Sequence, residues 1–368
     1  MNCLICCDKF KGSITAIQAC QAIRRGLSQK YKDLHYNTLP IADGGDGSLD
    51  VIKQYIEGDT IAIDTIDALG RAIQAPYFKS GDNAFIELAA ASGIARLQPQ
   101  ELAPLSTHTR GTGTLIREAL HQGCQKIVLM LGGSCSTDLG LGIAVAMGYQ
   151  LLDESAHPVL PGGSSLSDIK TIITPDDLPK FTLNVLCDVD NLLYGRHGAA
   201  YVYAPQKGAT AEQVQSLDHG LRHVSQIIQT QYGIDISTIK GGGSAGGVAA
   251  GLYGLLGARV QNGFDYMSDL ISLEDQIKKA DIVVTGEGQL DEQSLSGKVI
   301  GKIAQICYDY KKPLIALVGN NTLREQQTKR SHINEVLSIT SIAKNTEDAM
   351  FNAGIYLQKL ASSIKLHD

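Results

Sequence analysis

Short apolar runs alternate along the chain with glycine-rich or polar turns and with segments whose apolar residues recur at helical spacing, the pattern of α/β architecture. Residues 2–7 predict a first strand. Residues 14–30 predict a helix, with Ala16, Ala19, Cys20, Ile23 and Leu27 on one face and a Thr15/Gln18 capping box at its start. Strands are predicted over 35–41 and 60–64, a helix opening on a glycine turn over 111–121, and a strongly apolar strand over 126–131. A small-residue helix over 139–147 and a strand over 181–187 follow, and Thr210, with Gln213 three residues on, caps a long helix to about Gln231. Near the end, strands over 281–285 and 314–318 flank a helix over 298–310, before an edge strand over 336–341 and one closing helix over 346–365. There is no internal repeat, low-complexity tract or long linker. A domain boundary therefore has to be a short crossover, near 70–85 and 260–275, where Gly, Asn, Asp and Pro cluster.

Length and charge narrow the class. The 368 residues allow roughly two domains with a buried core in each, and 32 Lys plus Arg against 38 Asp plus Glu give a net charge of −6 with mixed signs, which excludes a basic nucleic-acid or membrane-surface protein. Eight cysteines are too sparse for a disulfide scaffold, no signal-peptide pattern opens the chain, and no apolar run approaches a membrane span, so a reducing cytoplasm is expected. Cys3 and Cys6, with Cys7 adjacent, are read as small buried residues of the first strand rather than a metal or redox pair. His219 and His223 are read as polar residues on a helix rather than metal ligands.

Glycine is the compositional anomaly: 39 residues, about half again the usual share. Many fall in loops that follow predicted strands, where open parallel sheets bind ligands. These loops are Asp8-Lys9-Phe10-Lys11-Gly12-Ser13, Ala42-Asp43-Gly44-Gly45-Asp46-Gly47, Gly132-Gly133-Ser134-Cys135-Ser136-Thr137-Asp138, Asp188-Val189-Asp190-Asn191 and Gly286-Glu287-Gly288-Gln289-Leu290-Asp291. Each sets Asp, Lys or Ser in a turn-forming stretch, and four of the five carry glycine. Backbone N–H groups that cradle phosphate, carboxylates for Mg²⁺ or a proton, and lysines for developing charge are what phosphoryl transfer needs. A sixth cluster, Gly241 to Gly247, either binds phosphate or lets helices pack closely. No P-loop is present: Gly297-Lys298 comes nearest, with Glu292 at the first glycine position and Val299 after the lysine. A dinucleotide fingerprint fails at Ile116, which stands where the third glycine after Gly111 and Gly113 belongs.

Several of these segments, with Pro205-Gln206-Lys207-Gly208-Ala209 and Gln293, occur in the order found in class I glycerate kinases, and the chain resembles that family from residue 8 to about 300. The resemblance implies an ATP- and Mg²⁺-dependent kinase that phosphorylates D-glycerate, generally to 2-phosphoglycerate in bacteria, with two α/β domains facing each other across a cleft. The domain with a parallel, Rossmann-like sheet is expected from 1–80 and 270–368, because strand-type runs at both ends carry the Asp8 and Asp291 loops, and 81–269 is expected as an inserted second α/β domain. Departures from the family pattern fall at Cys135-Ser136-Thr137, Leu139, Leu192, Gln289 and Ile300. Asp8, Lys9, Lys11, Arg71 and Asp43 are expected around the substrate, and Gly132, Gly133, Ser134, Asp138, Lys207, Gly286, Gly288 and Lys298 around the nucleotide. Asp188, Asp43 and Asp291 are candidates for general base, Asp188 first, with Lys9 beside the reacting groups and Asp188 and Asp291 as Mg²⁺ ligands. The partners expected are the small-molecule substrate and a second copy in a homodimer, without nucleic acid or membrane. Two other readings stay open at this point: a nicotinamide-dependent hydroxy-acid dehydrogenase, and a non-catalytic sensor of glycerate or nucleotide.

Overall fold

The computed structural model describes residues 1–295 and 298–366. In chain order its strands are β1 (Asn2–Cys7), β2 (His35–Thr38), β3 (Asp59–Ile66), β4 (Ala72–Ser80), β5 (Asn83–Glu87), β6 (Lys126–Met130), β7 (Gln150–Leu152), β8 (Thr171–Ile173), β9 (Thr182–Cys187), β10 (Arg259–Asn262), β11 (Ile282–Leu290), β12 (Leu314–Asn321) and β13 (Glu335–Ser338). They assort into two compact units. The first comprises Met1–Asp43, Asp50–Tyr55 and the chain from Phe264 onward, and the second Gly44–Leu49 and Ile56–Gly263.

The first unit is built on an all-parallel sheet of order β13-β12-β11-β1-β2. Helices cover such a sheet on both faces, which is why β1, β11 and β12 read as nearly continuous apolar runs. The Ala16–Lys30 helix starts on its capping box: the Gln18 N–H donates to Thr15 Oγ1 at 3.2 Å and the Thr15 N–H to Gln18 Oε1 at 3.0 Å. It crosses the Ala353–Ser363 helix so closely that a Cβ on Gly26 would lie 2.2 Å from the Gln358 carbonyl oxygen, so only glycine fits there. The predicted closing helix is in fact two, Thr346–Phe351 and Ala353–Ser363, broken where the Asn352 side chain turns back to donate to Asp348 Oδ1 at 2.7 Å. In this sheet β1 has its sequence successor β2 on one side and β11 on the other. That reversal makes the carboxyl ends of β1 and β11 a topological switch point, the kind of place where open sheets bind ligands.

The second unit holds a sheet of order β10-β9-β6-β5-β4-β3, in which β5, β6, β9 and β10 run parallel and β4 is antiparallel to both neighbours, with a small β7-β8 ribbon apart. Because β3 pairs with β4 from Asp59↔Lys79 to Ile66↔Ala72, and β4 with β5, residues 59–80 belong to this sheet, and the second unit begins well before residue 80. The Gly241–Gly247 cluster leads into the Ser244–Leu256 helix, and its contacts favour packing: a Cβ on Gly246 would stand 2.3 Å from the Ser136 carbonyl oxygen, and one on Gly251 1.8 Å from that of Leu139. All eight cysteines are buried and unpaired, with Cys3, Cys6 and Cys7 in β1. His219 is exposed, whereas His223 is half-buried with Nε2 2.7 Å from the Ile169 carbonyl oxygen. Among the described residues no helix is long and apolar enough to cross a membrane.

Candidate active site

In the first unit the switch point at β1 and β11 gathers acids: Asp8, Asp43 and Glu287 lie close enough to interact. Asp8 follows β1 directly, only 7% exposed, and its Oδ1 accepts from the Lys9 N–H at 2.6 Å. Burial, with the Asp43 charge beside it, pushes the Asp8 carboxyl up to about 8 against the pull of Lys9. Asp43 ends the segment after β2 and takes an ion pair from Lys9 Nζ at 3.5 Å. One strand over, the Asp8 N–H donates to the Gly286 carbonyl at 2.9 Å, and the next residue, Glu287, is 7% exposed with an Oε1 that has no hydrogen-bond partner among the described residues. Burial pushes the Glu287 carboxyl up to about 7. Thr285, two residues back and therefore on the same face of β11, carries a buried hydroxyl that also has no partner among the described residues. Two adjacent buried polar groups left unsatisfied are costly unless something else completes them.

The glycines of this region differ from expectation. Gly286 and Gly288 were expected in a loop after a strand ending at 285, but β11 continues to Leu290 and pairs with β12 through Gly286↔Leu317 and Gln289↔Asn320. Glycine is needed there for close approach of strands: a Cβ on Gly286 would lie 2.5 Å from the Leu317 carbonyl oxygen. The turn comes only at Asp291. Its Oδ1 caps the short Glu292–Leu295 helix by accepting from the Ser294 N–H at 2.8 Å, and its Oδ2 accepts from Gln289 Nε2 at 3.2 Å. Asp291 also lines a cavity of about 670 Å³ with Thr322 and Arg324. Lys11 and Lys298 are exposed, and Gly297 of the Gly-Lys pair lies outside the described residues.

In the second unit the loop after β6 is held by a buried polar brace. Asp138, fully buried, accepts five hydrogen bonds: from the Thr109 N–H (2.8 Å) and hydroxyl (2.7 Å), the Ser136 hydroxyl (3.2 Å), and the Gly140 (3.4 Å) and Gly142 (3.2 Å) N–H groups. Thr107 Oγ1 donates to the Cys135 carbonyl at 3.0 Å. Lys207, 2% exposed, donates from Nζ to Ser134 Oγ at 2.9 Å and to the Ser136 carbonyl at 2.5 Å, and burial lowers its ammonium to about 8. Gly132 passes so near Asp46 that a Cβ would meet its backbone nitrogen at 2.2 Å, while Gly133 is exposed with φ +72°. Arg71 is committed elsewhere: Nε bonds Asp67 Oδ2 at 2.5 Å and a terminal nitrogen bonds Glu101 Oε1 at 2.6 Å. Asp188 stands exposed immediately after β9. Among the described residues no three His, Cys, Asp or Glu side chains are set to hold a metal ion.

A sequence model of the glycerate kinase family matches residues 3–366. The chain belongs to the glycerate kinase family. It is 36% identical to the glycerate kinase of Halalkalibacterium halodurans over 97% of this chain and 95% of that one. To the glycerate 2-kinase of Escherichia coli it is 34% identical, over 96% and 94%. A crystal structure described as that of a glycerate kinase 2 from Salmonella typhimurium LT2 superposes with a TM-score of 0.84 at 35% identity, covering 98% of this chain and 96% of that one.

For a glycerate kinase family member, the structure thus brings Asp8, Lys9 and Asp43 together in one unit and Ser134, Asp138 and Lys207 in the other. Sequence reasoning passed over Glu287, which sits between two glycines and reads as part of a turn. The signal that finds it is strand alternation: once β11 is carried past 285, Thr285 and Glu287 fall on one face. Thr107 and Thr109 were also passed over, because their partners lie about thirty residues away in sequence.

Proposed function

We propose that this chain transfers the γ-phosphoryl group of ATP to the 2-hydroxyl of D-glycerate. The reading is supported above all by full-length kinship with a glycerate 2-kinase. It also fits the pairing of cations with buried acids at the carboxyl ends of β1 and β11. Lys9 and Lys11 hold the substrate carboxylate and offset charge on the transferred group, since both are anions that need cations. Asp43, paired to Lys9, keeps that ammonium in place.

Mg²⁺ is usually held by one or two carboxylates together with substrate phosphates rather than by an all-protein cage, so isolated acidic side chains suffice for it. In the first unit we assign it to Asp291, which lines the cavity with Thr322 and Arg324, and its chemistry when bound would be to neutralise charge on the phosphates. For the proton of the attacking hydroxyl, Asp188 has a rival. Glu287 has a carboxyl pushed up to about 7 by burial and an Oε1 without a partner among the described residues, the properties of a general base working near neutral pH. A reducing compartment, the cytoplasm, fits eight unpaired buried thiols.

The test is ADP formation by the purified chain with MgATP, with and without D-glycerate. Formation that depends on D-glycerate supports the reading. No ADP above background, with thermal stabilisation by glycerate alone, points instead to a non-catalytic sensor.

A further inference from the structure

The second unit contains a cavity of about 860 Å³ that no role described so far uses. It lies where Thr65 and Ile66 end β3 and where Arg110 begins the Arg110–His121 helix. Its volume is in the range that holds a nucleotide-sized ligand, about 300–1,000 Å³, and far exceeds what a three-carbon acid fills. Its polar lining includes Arg110, His108, Ser106 and Ser164. Among the described residues the Arg110 guanidinium makes no ion pair, in contrast to Arg71, which is spent on Asp67 and Glu101. No Asp or Glu lines the cavity among the described residues, so nothing there repels an anion. Its apolar lining comprises Ile66, Leu105, Leu160 and Pro161, and Leu160 is 78% exposed as it stands. A lining that combines a guanidinium with apolar side chains suits a ligand that carries both a polyphosphate and a flat heterocycle.

The segment that carries two of these residues is held by hydrogen bonds. His108 and Arg110 alternate with Thr107 and Thr109, whose side chains tie to the loop after β6 through the Cys135 carbonyl and Asp138, and Lys207 bonds the same loop at Ser134 and Ser136. Ser134, Asp138 and Lys207 then act through that segment, as positioning residues, rather than on a ligand.

We propose that this cavity is the nucleotide subsite, with Arg110 on the polyphosphate and the apolar side chains of Leu105, Leu160 and Pro161 against the base. The proposal rests on the kinase reading above. It is tested by isothermal titration of the intact chain with MgATP, comparing wild type with Arg110→Gln and Ser164→Trp. Both positions are exposed, so the fold should tolerate the changes, and circular dichroism checks that it does. Loss of a guanidinium–phosphate contact should weaken binding by about 10-fold or more, and the indole should do the same by filling the space. The KM for D-glycerate should stay within about 2-fold in both. An unchanged affinity in either variant, with wild type turning over normally, overturns the cavity assignment alone. A wild-type chain that binds no MgATP overturns the assignment and the kinase reading together.

Discussion

Replacing Lys207 with Met removes a buried ammonium from the brace, and the consequence is a change in how stability depends on pH. In the folded chain burial lowers this amine from the usual 10.5 to about 8. Between pH 8 and 10.5 the unfolded chain therefore holds more protons at this site, so stability rises with pH across that window and is flat on either side. The full difference corresponds to about 3 kcal/mol, of which about 2.5 kcal/mol should have appeared by pH 10. At pH 7 the Met variant strands the Ser136 carbonyl and Ser134 hydroxyl, at about 1–3 kcal/mol each, but escapes the cost of burying a charge, so the two stabilities should lie close together. The chain has no tryptophan, so urea unfolding is followed by far-ultraviolet circular dichroism at pH 7 and pH 10. Groups common to both proteins cancel in the comparison. Wild type should gain on the variant by about 2.5 kcal/mol over that interval, in the transition of the unit that holds Lys207. A constant offset between the two would mean that the ammonium is solvated in the folded chain, and the brace as described would be wrong.

Two further outcomes follow from the same geometry. Asp138→Ala takes away the acceptor of five hydrogen bonds and leaves buried N–H groups bare, so thermal unfolding should report a loss of about 3 kcal/mol or more; a loss under about 1 kcal/mol would mean the loop re-forms without it. If Glu287 is the base, kcat/KM for wild type should climb with pH through about 7 as the carboxyl loses its proton, and Glu287→Gln should lower the rate by orders of magnitude and erase that ionisation. If Asp188→Asn does this instead, the proton goes to Asp188.

The parts of the fold legible from sequence were those where one physical cause dominates. β1, β6, β9 and β12 are buried on both faces and read as apolar runs, and the helices after Thr15 and Thr210 announce themselves by capping boxes that form as written. β4 was not read because Gln74 and Pro76 interrupt it, and only its pairing with β3 and β5 makes it a strand. β11 was cut short because Gly286 and Gly288 look like a turn, whereas their smallness serves the approach of β12 and of the segment after β1. The site was legible as residue types and not as roles. Asp138 and Lys207 were picked out as polar groups beside glycines, but that both are buried and both bond Ser136 is a long-range fact that no local pattern carries. Arg71 likewise looked available until Asp67, four residues before it, and Glu101, thirty after it, were seen to close on its guanidinium.

Phosphorus NMR of the reaction of the purified chain with MgATP and D-glycerate distinguishes the possible products. A phosphate ester on the 2-hydroxyl couples to the single proton on that carbon, so one new doublet should grow in step with ADP. A triplet would place the phosphoryl group on the 3-hydroxyl and contradict the proposed product. ADP without any new ester signal, or no ADP at all, would contradict the assignment of this chain as a working glycerate kinase.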